Sequence, residues 1–196
     1  MRDLVSGPRR FVELQRTLPG ISTEQLRSRL NRMVADGLLT RQRYREVPPR
    51  VDYELTERSR DLVGVLGALA RWGYAWAWSS PREGEEVNVG AVLRLAPGLL
   101  TPPANLEGTV ELVVGDDDNE DGLRSYLLSA RGGRVEVSEA PPVRADARVR
   151  GTVDAWVAAL GPDGDQSGLR FSGSRRLAEQ LLGGLAGFSR PDAVVA

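Results

Sequence analysis

Every basic side chain in this 196-residue chain is an arginine; lysine, histidine and cysteine are absent. Those absences remove thiol nucleophiles, disulfides, the Ser–His triad, Schiff-base lysines, the P-loop lysine and the two best zinc ligands. An enzyme built from what remains would need two buried acids facing each other, and no spacing here proposes such a pair. The chain is therefore expected to bind rather than catalyse, with no cofactor and no metal. The arginines are the residues with chemistry to offer. One group is Arg27, Arg29 and Arg32, interleaved with Thr23, Gln25, Ser28 and Asn31. Arginine can fork to guanine and glutamine to adenine in the major groove of double-stranded DNA, so this mixture suits base reading. Arg43, Arg45 and Arg50 form a second group and Arg9 with Arg10 a third, both suited to phosphates. The formal net charge of -1 conceals this asymmetry. Residues 1–80 carry 14 arginines against nine acids, and residues 81–196 carry 12 against 18.

Local elements must hold those groups in place. Residues 8–18 begin with a proline and set Phe11, Leu14 and Leu18 on one helical face. Pro19-Gly20 ends that helix in a tight turn. Ser22 with Gln25 three residues later is a capping box, and it opens a second helix whose buried stripe is Leu26, Leu30, Met33 and Val34. Gly37 supplies its C-cap. The outward side then carries Gln25, Ser28 and Arg32, flanked by Arg27, Arg29 and Asn31. Residues 38–44 and 51–55 alternate as strands, and the prolines between them stiffen a basic loop. Thr56 caps a further helix expected to run to about residue 73, with Leu62, Val65, Leu66 and Leu69 on one face and Trp72 beside them. A helix-turn-helix followed by strand, rigid loop and strand is a winged-helix arrangement.

At these residues the chain resembles a known family. The strings R-D-L-V-S-G-P-R-R-F-V-E-L, L-P-G-I-S-T-E-Q-L-R-S-R-L, D-G-L-L-T-R and P-P-R-V-D-Y-E-L-T look like those of HxlR-type winged-helix transcription regulators, over about residues 2–73. The resemblance implies a homodimer that binds DNA. It places the recognition helix at residues 22–36, the wing at 44–51 and dimer contacts on the helix at 57–73. Family members carry another helix before the R-D-L segment, and this sequence starts at that helix's end. Many sense oxidants through a cysteine, which this chain lacks.

The stretch S-S-P-R-E-G-E-E, residues 79–86, is the expected linker between a DNA-binding domain at 1–78 and a second domain at 87–190. In the latter, residues 87–95 begin as a strand or a short helix. Residues 108–114, 123–129, 133–138 and 145–149 read as strands. One helix opens at Thr152 and another follows Ser174. The acidic run G-D-D-D-N-E-D-G lacks the ligand order of a calcium loop and reads as a hairpin turn. Ser174 with Arg175 and Arg176 reads as a helix cap with surface charges rather than a phosphate cradle. Residues from R-G-T-V-D-A-W-V-A-A-L-G to G-S-R-R-L-A-E-Q-L-L-G-G-L resemble sterol-carrier-protein-type domains. That resemblance implies a mostly antiparallel sheet, with helices enclosing an apolar cavity for a hydrophobic small molecule. Trp156, Phe171, Leu181, Leu182 and Leu185 would line it, although each also fits an ordinary core.

The expected fold class is thus α+β: an N-terminal winged helix-turn-helix followed by a sterol-carrier-like domain. The expected function is a homodimeric, one-component transcription regulator that answers a hydrophobic effector. No run approaches the roughly 18 apolar residues of a membrane span and no secretory leader is visible, so a cytoplasmic location without a membrane partner is expected. The alternative is a ligand carrier or accessory protein whose winged helix makes protein contacts.

Overall fold

The computed structural model describes residues 1–45, 50–77, 79, 81–82, 85, 87–115, 122–139 and 144–186. The chain divides into two compact units, Met1–Val63 and Gly64–Ala196.

The first unit opens with a 3-10 turn, Arg2–Leu4, that buries Leu4. Strand β1 (Arg9–Arg10) leads directly into helix α1 (Phe11–Arg16). The helix expected from residue 8 is therefore shorter at both ends. The reason is an edge: Arg9 and Arg10 pair antiparallel with Tyr53 and Asp52, and those ladder bonds compete with a helical turn. Helix α1 starts only where the Glu13 carboxylate accepts the Arg10 amide proton at 2.8 Å. Helix α2 (Thr23–Ala35) starts as its sequence dictates. The Ser22 hydroxyl accepts from the Gln25 amide, and the Gln25 side-chain oxygen accepts from the Ser22 amide, both at 3.2 Å. It ends at Gly37, whose φ of 69° is left-handed and available to glycine without strain.

Strands β2 (Leu39–Tyr44) and β3 (Arg50–Leu55) form an antiparallel pair, giving the sheet order β1-β3-β2. Leu4, Leu14, Leu26, Leu30, Leu39, Tyr53 and Leu55 make the core, with Phe11, Leu18, Met33 and Val34 packed on its margin. Helix α3 (Glu57–Arg60) is capped by Thr56 and then stops. A separate helix, α4 (Val63–Ala77), follows, so the single helix expected from Thr56 to about 73 is broken at Asp61 and Leu62. The two pieces have different anchors. Buried Ser59 donates to the Leu38 carbonyl at 2.6 Å within the first unit, whereas Arg71 donates to the Gly98 carbonyl at 2.9 Å within the second.

The second unit continues with short helices α5 (Val89–Leu93) and α6 (Ala96–Leu99), settling the strand-or-helix alternative for residues 87–95 in favour of helix. Strands β4 (Gly108–Val114), β5 (Arg124–Arg131), β6 (Arg134–Ser138) and β7 (Ala147–Gly151) come next. Helix α7 (Val153–Leu160), strand β8 (Arg170–Gly173) and helix α8 (Arg175–Ala186) complete it. The five strands lie in the order β6-β5-β4-β7-β8, with β4 and β7 parallel and the other pairs antiparallel. Strand β8 was not expected from the sequence. Alternation buries Val110 and Leu112 of β4, Tyr126 and Leu128 of β5, and Val149 of β7. Helix α8 packs on β4, β7 and β8, and α7 on β7. Trp156 is fully enclosed there, its indole N–H donating to the Val113 carbonyl at 2.9 Å.

Helix α4 has two unlike sides. Gly67 and Arg71 face α6: a methyl group added at Gly67 would lie 2.1 Å from the Gly98 carbonyl oxygen. On the opposite side Val65, Leu69, Trp72 and Trp76 stay 60–63% exposed, so most of the apolar face expected on this helix is outward. Leu62 is exposed as well, and of that face only Leu66 is half-buried.

Candidate nucleic-acid interface

Helix α2 owes its orientation to Leu26 and Leu30, both buried under 5% exposure in the first unit's core. With those two inward, Gln25, Arg27, Ser28, Arg29 and Arg32 are all exposed. Their states differ. Arg27, Ser28 and Arg29 make no hydrogen bond or ion pair among the described residues. Arg32 approaches Asp36 at 3.8 Å but keeps 85% of its side chain in solvent. The Gln25 oxygen is spent on the cap while its amide nitrogen is not. Thr23 is half-buried, and its hydroxyl accepts from the Gln15 side chain at 3.1 Å, tying α2 back to α1.

The wing side is built by β2 and β3. Arg41 and Arg43 share the face of β2 that carries Leu39, opposite Tyr53 and Val51 of β3. Arg43 and Arg45 are exposed and unpaired among the described residues. Arg50 is held differently: its guanidinium meets buried Asp52 at 2.6 Å and lies 5.1 Å from the centre of the Tyr44 ring. Arg50 therefore fixes the base of the wing. Residues 46–49, the tip of the expected wing, lie outside the described residues. Arg9 and Arg10 stand on β1 beside β3 rather than on a helix, and Arg9 reaches the Ser6 hydroxyl at 3.4 Å. Arg41 is the residue that sequence reasoning passed over. Its signal was the alternation of R-Q-R in β2, which puts it on the same face as Arg43.

In the second unit, Trp156, Leu181, Leu182 and Leu185 are buried, and Phe171 is half-buried with Arg175 at 5.2 Å from its ring centre. A depression of about 490 Å3 opens elsewhere, beside Leu106, Glu107, Asp146, Arg176, Leu177 and Gln180, and none of those five residues lines it. The Thr109 amide and hydroxyl donate to Asp146 at 2.8 and 2.9 Å, which holds that carboxyl below its ordinary range. The acidic run at 116–121 lies outside the described residues. Among the described residues there is no cluster of three or more metal-ligating side chains, and no helix is long and apolar enough to cross a membrane.

A capped, arginine-bearing second helix and an arginine-edged strand pair are the parts of a winged helix-turn-helix. Residues 1–81 match the model of the HxlR-like helix-turn-helix. YkvN of Bacillus subtilis (strain 168), an uncharacterized HTH-type transcriptional regulator, is 39% identical over 82 residues, which are 42% of this chain and 70% of YkvN. The chain belongs to the HxlR-like helix-turn-helix family. A second relative, the uncharacterized HTH-type transcriptional regulator YtcD of the same organism, is 43% identical over 36% of this chain and 56% of its own length. The solved transcriptional regulator YodB from B. subtilis, in its reduced form, is 35% identical over 36% of this chain and 70% of its own, with a TM-score of 0.35. The HxlR-like relatives are transcriptional regulators and not enzymes. The chain spans from just over half to about two thirds of the lengths of such relatives. Helix α4 lies within the segment that matches the family, although its contacts group it with the second unit.

Proposed function

We propose that this chain is a transcription regulator that binds double-stranded DNA through α2 and the β2–β3 wing. One observation carries this. On a segment of HxlR-like sequence, the exposed side of a capped helix presents Gln25, Ser28, Arg29 and Arg32, and unpaired Arg43 and Arg45 stand at the wing. Arginines without an acid partner are available to phosphates, and α2 offers both kinds of base-reading side chain. We read residues 1–78 and 87–190 as its two domains with a linker at 79–86, following the extent of the family match rather than the contacts of α4, which group with the second unit, and such a regulator works in the cytoplasm with the chromosome.

The active form we infer is a homodimer. Val65, Leu69, Trp72 and Trp76 repeat at spacings of four, three and four along α4, the seam of a coiled coil, and all are more than half exposed. A soluble chain leaves so large an apolar stripe open mainly where a partner covers it. The second domain we read as the sensor of a hydrophobic effector. Support comes from a sheet with helices on one face and from the apolar interior around Trp156, Phe171, Leu181, Leu182 and Leu185. Fluorescence anisotropy of duplexes selected by the purified protein from a random pool tests the DNA reading. Binding that weakens steeply with salt is expected, and absence of binding, or binding indifferent to salt, overturns it. Native mass spectrometry of the protein as isolated tests the sensor, through a retained apolar molecule.

A further inference from the structure

Between α2 and the sheet of the first unit lies a cavity of about 270 Å3, lined by Phe11, Arg27, Asn31, Arg41, Val51 and Tyr53. Its floor is apolar: Tyr53 belongs to the buried core, and Phe11 and Val51 are half-buried against it. Its rim is polar and cationic. Arg27 and Asn31 stand one turn apart on α2, and Arg41 reaches in from β2, where it is the register partner of Tyr53. Among the described residues no carboxylate lines the cavity. Neither Arg27 nor Arg41 has an ion-pair or hydrogen-bond partner among the described residues, whereas Arg50 and Arg60 in the same unit are paired with Asp52 and Glu54. Two guanidiniums without acid partners border one cavity, and an anion between them would gain charge-assisted hydrogen bonds from both.

We propose that this cavity binds a small aromatic carboxylate. The ring lies on Phe11, Val51 and Tyr53, and the carboxylate sits between Arg27 and Arg41 with the Asn31 amide donating to it. Few polar groups over an apolar floor are what small-molecule sites consist of. The volume is below the roughly 300 Å3 at which drug-sized pockets begin, which favours a single ring. Inorganic phosphate would use the rim and leave the floor empty. Arg27 also belongs to the DNA face proposed above, so ligand and duplex would compete for it; this consequence rests on that interface, whereas ligand binding does not.

Calorimetric titration of the full chain with sodium benzoate tests the site, with acetate and inorganic phosphate as comparators. One benzoate per chain is expected, bound about tenfold or more tightly than either comparator, because only benzoate covers the floor. Arg41→Gln removes one charge-assisted partner and is expected to weaken benzoate about tenfold or more. Arg41 is exposed and unpaired, so this variant keeps the fold, and Arg58→Gln on α3 is expected to titrate like the parent. Benzoate binding no tighter than acetate or phosphate, or unchanged by Arg41→Gln, overturns the proposal. In anisotropy, benzoate at ten times its Kd should raise the apparent Kd for duplex about elevenfold. An unchanged Kd overturns the competition. A protein that binds no duplex overturns the DNA interface, and calorimetry still decides the pocket.

Discussion

Arg45 and Arg50 are five residues apart and carry the same group, yet they are expected to fail differently. Arg45 is exposed and unpaired among the described residues, so Arg45→Gln should leave stability unchanged. If it neutralises one phosphate, the slope of log affinity against log salt should fall by about 0.9. Arg50 faces Asp52, which is 2% exposed, so Arg50→Gln strands a buried carboxylate. Its expected loss is about 1–3 kcal/mol in a urea melt, before any effect on DNA. The sequence separated neither case, because both residues read as wing arginines. What it did show at this scale was local chemistry. The Ser22–Gln25 box and the glycine at position 37 are codes read within four residues, and both are realised as expected. Thr23 was less legible: its tie to Gln15 joins two helices across a turn, and spacing within one helix does not report it.

Among the elements, β1 and β8 carry two and four residues, too few for an alternating pattern to stand out. They exist because β3 and β7 each offer an edge, a property of distant segments. The break between α3 and α4 was hidden for a related reason. Apolar residues at helical spacing run through Leu62, and only the bonds of Ser59 and Arg71 to separate units reveal two helices. The close approach of α4 to α6 yields a sharp expectation. Gly67→Ala would drive a methyl group to 2.1 Å from the Gly98 oxygen, a backbone atom that cannot rotate away. A loss of about 1–3 kcal/mol is expected in thermal or denaturant melts of the second unit. Gly64→Ala, one turn earlier in open space, should be neutral or slightly stabilising.

For the whole molecule, the exposed stripe of α4 is the seam of the proposed dimer. Leu69→Glu places a charge in the middle of the proposed seam without touching the α6 side. Sedimentation should show the parent as a dimer and the variant as a monomer with weakened operator binding; a monomeric parent would remove the seam. The architecture also bears on how the chain assembles in time. Val110 must find its parallel partner Ala147, 37 positions further along the chain, with β5 paired to β4 and β6 paired to β5 in between. Such pairing pays its loop-closure cost before any contact rewards it, and slows folding. The first unit has one such distant closure, Arg9 of β1 against Tyr53 of β3, but that ladder is two residues long and the unit's longer pairing is the β2–β3 hairpin. It emerges first from the ribosome, and its folding should be complete while β7 is still being synthesised. All four tryptophans, Trp72, Trp76, Trp78 and Trp156, belong to the second unit. Stopped-flow refolding followed by tryptophan emission should therefore see only the slow phase, while far-ultraviolet dichroism records an earlier one, so that the unit proposed to bind DNA forms before the unit proposed to sense an effector.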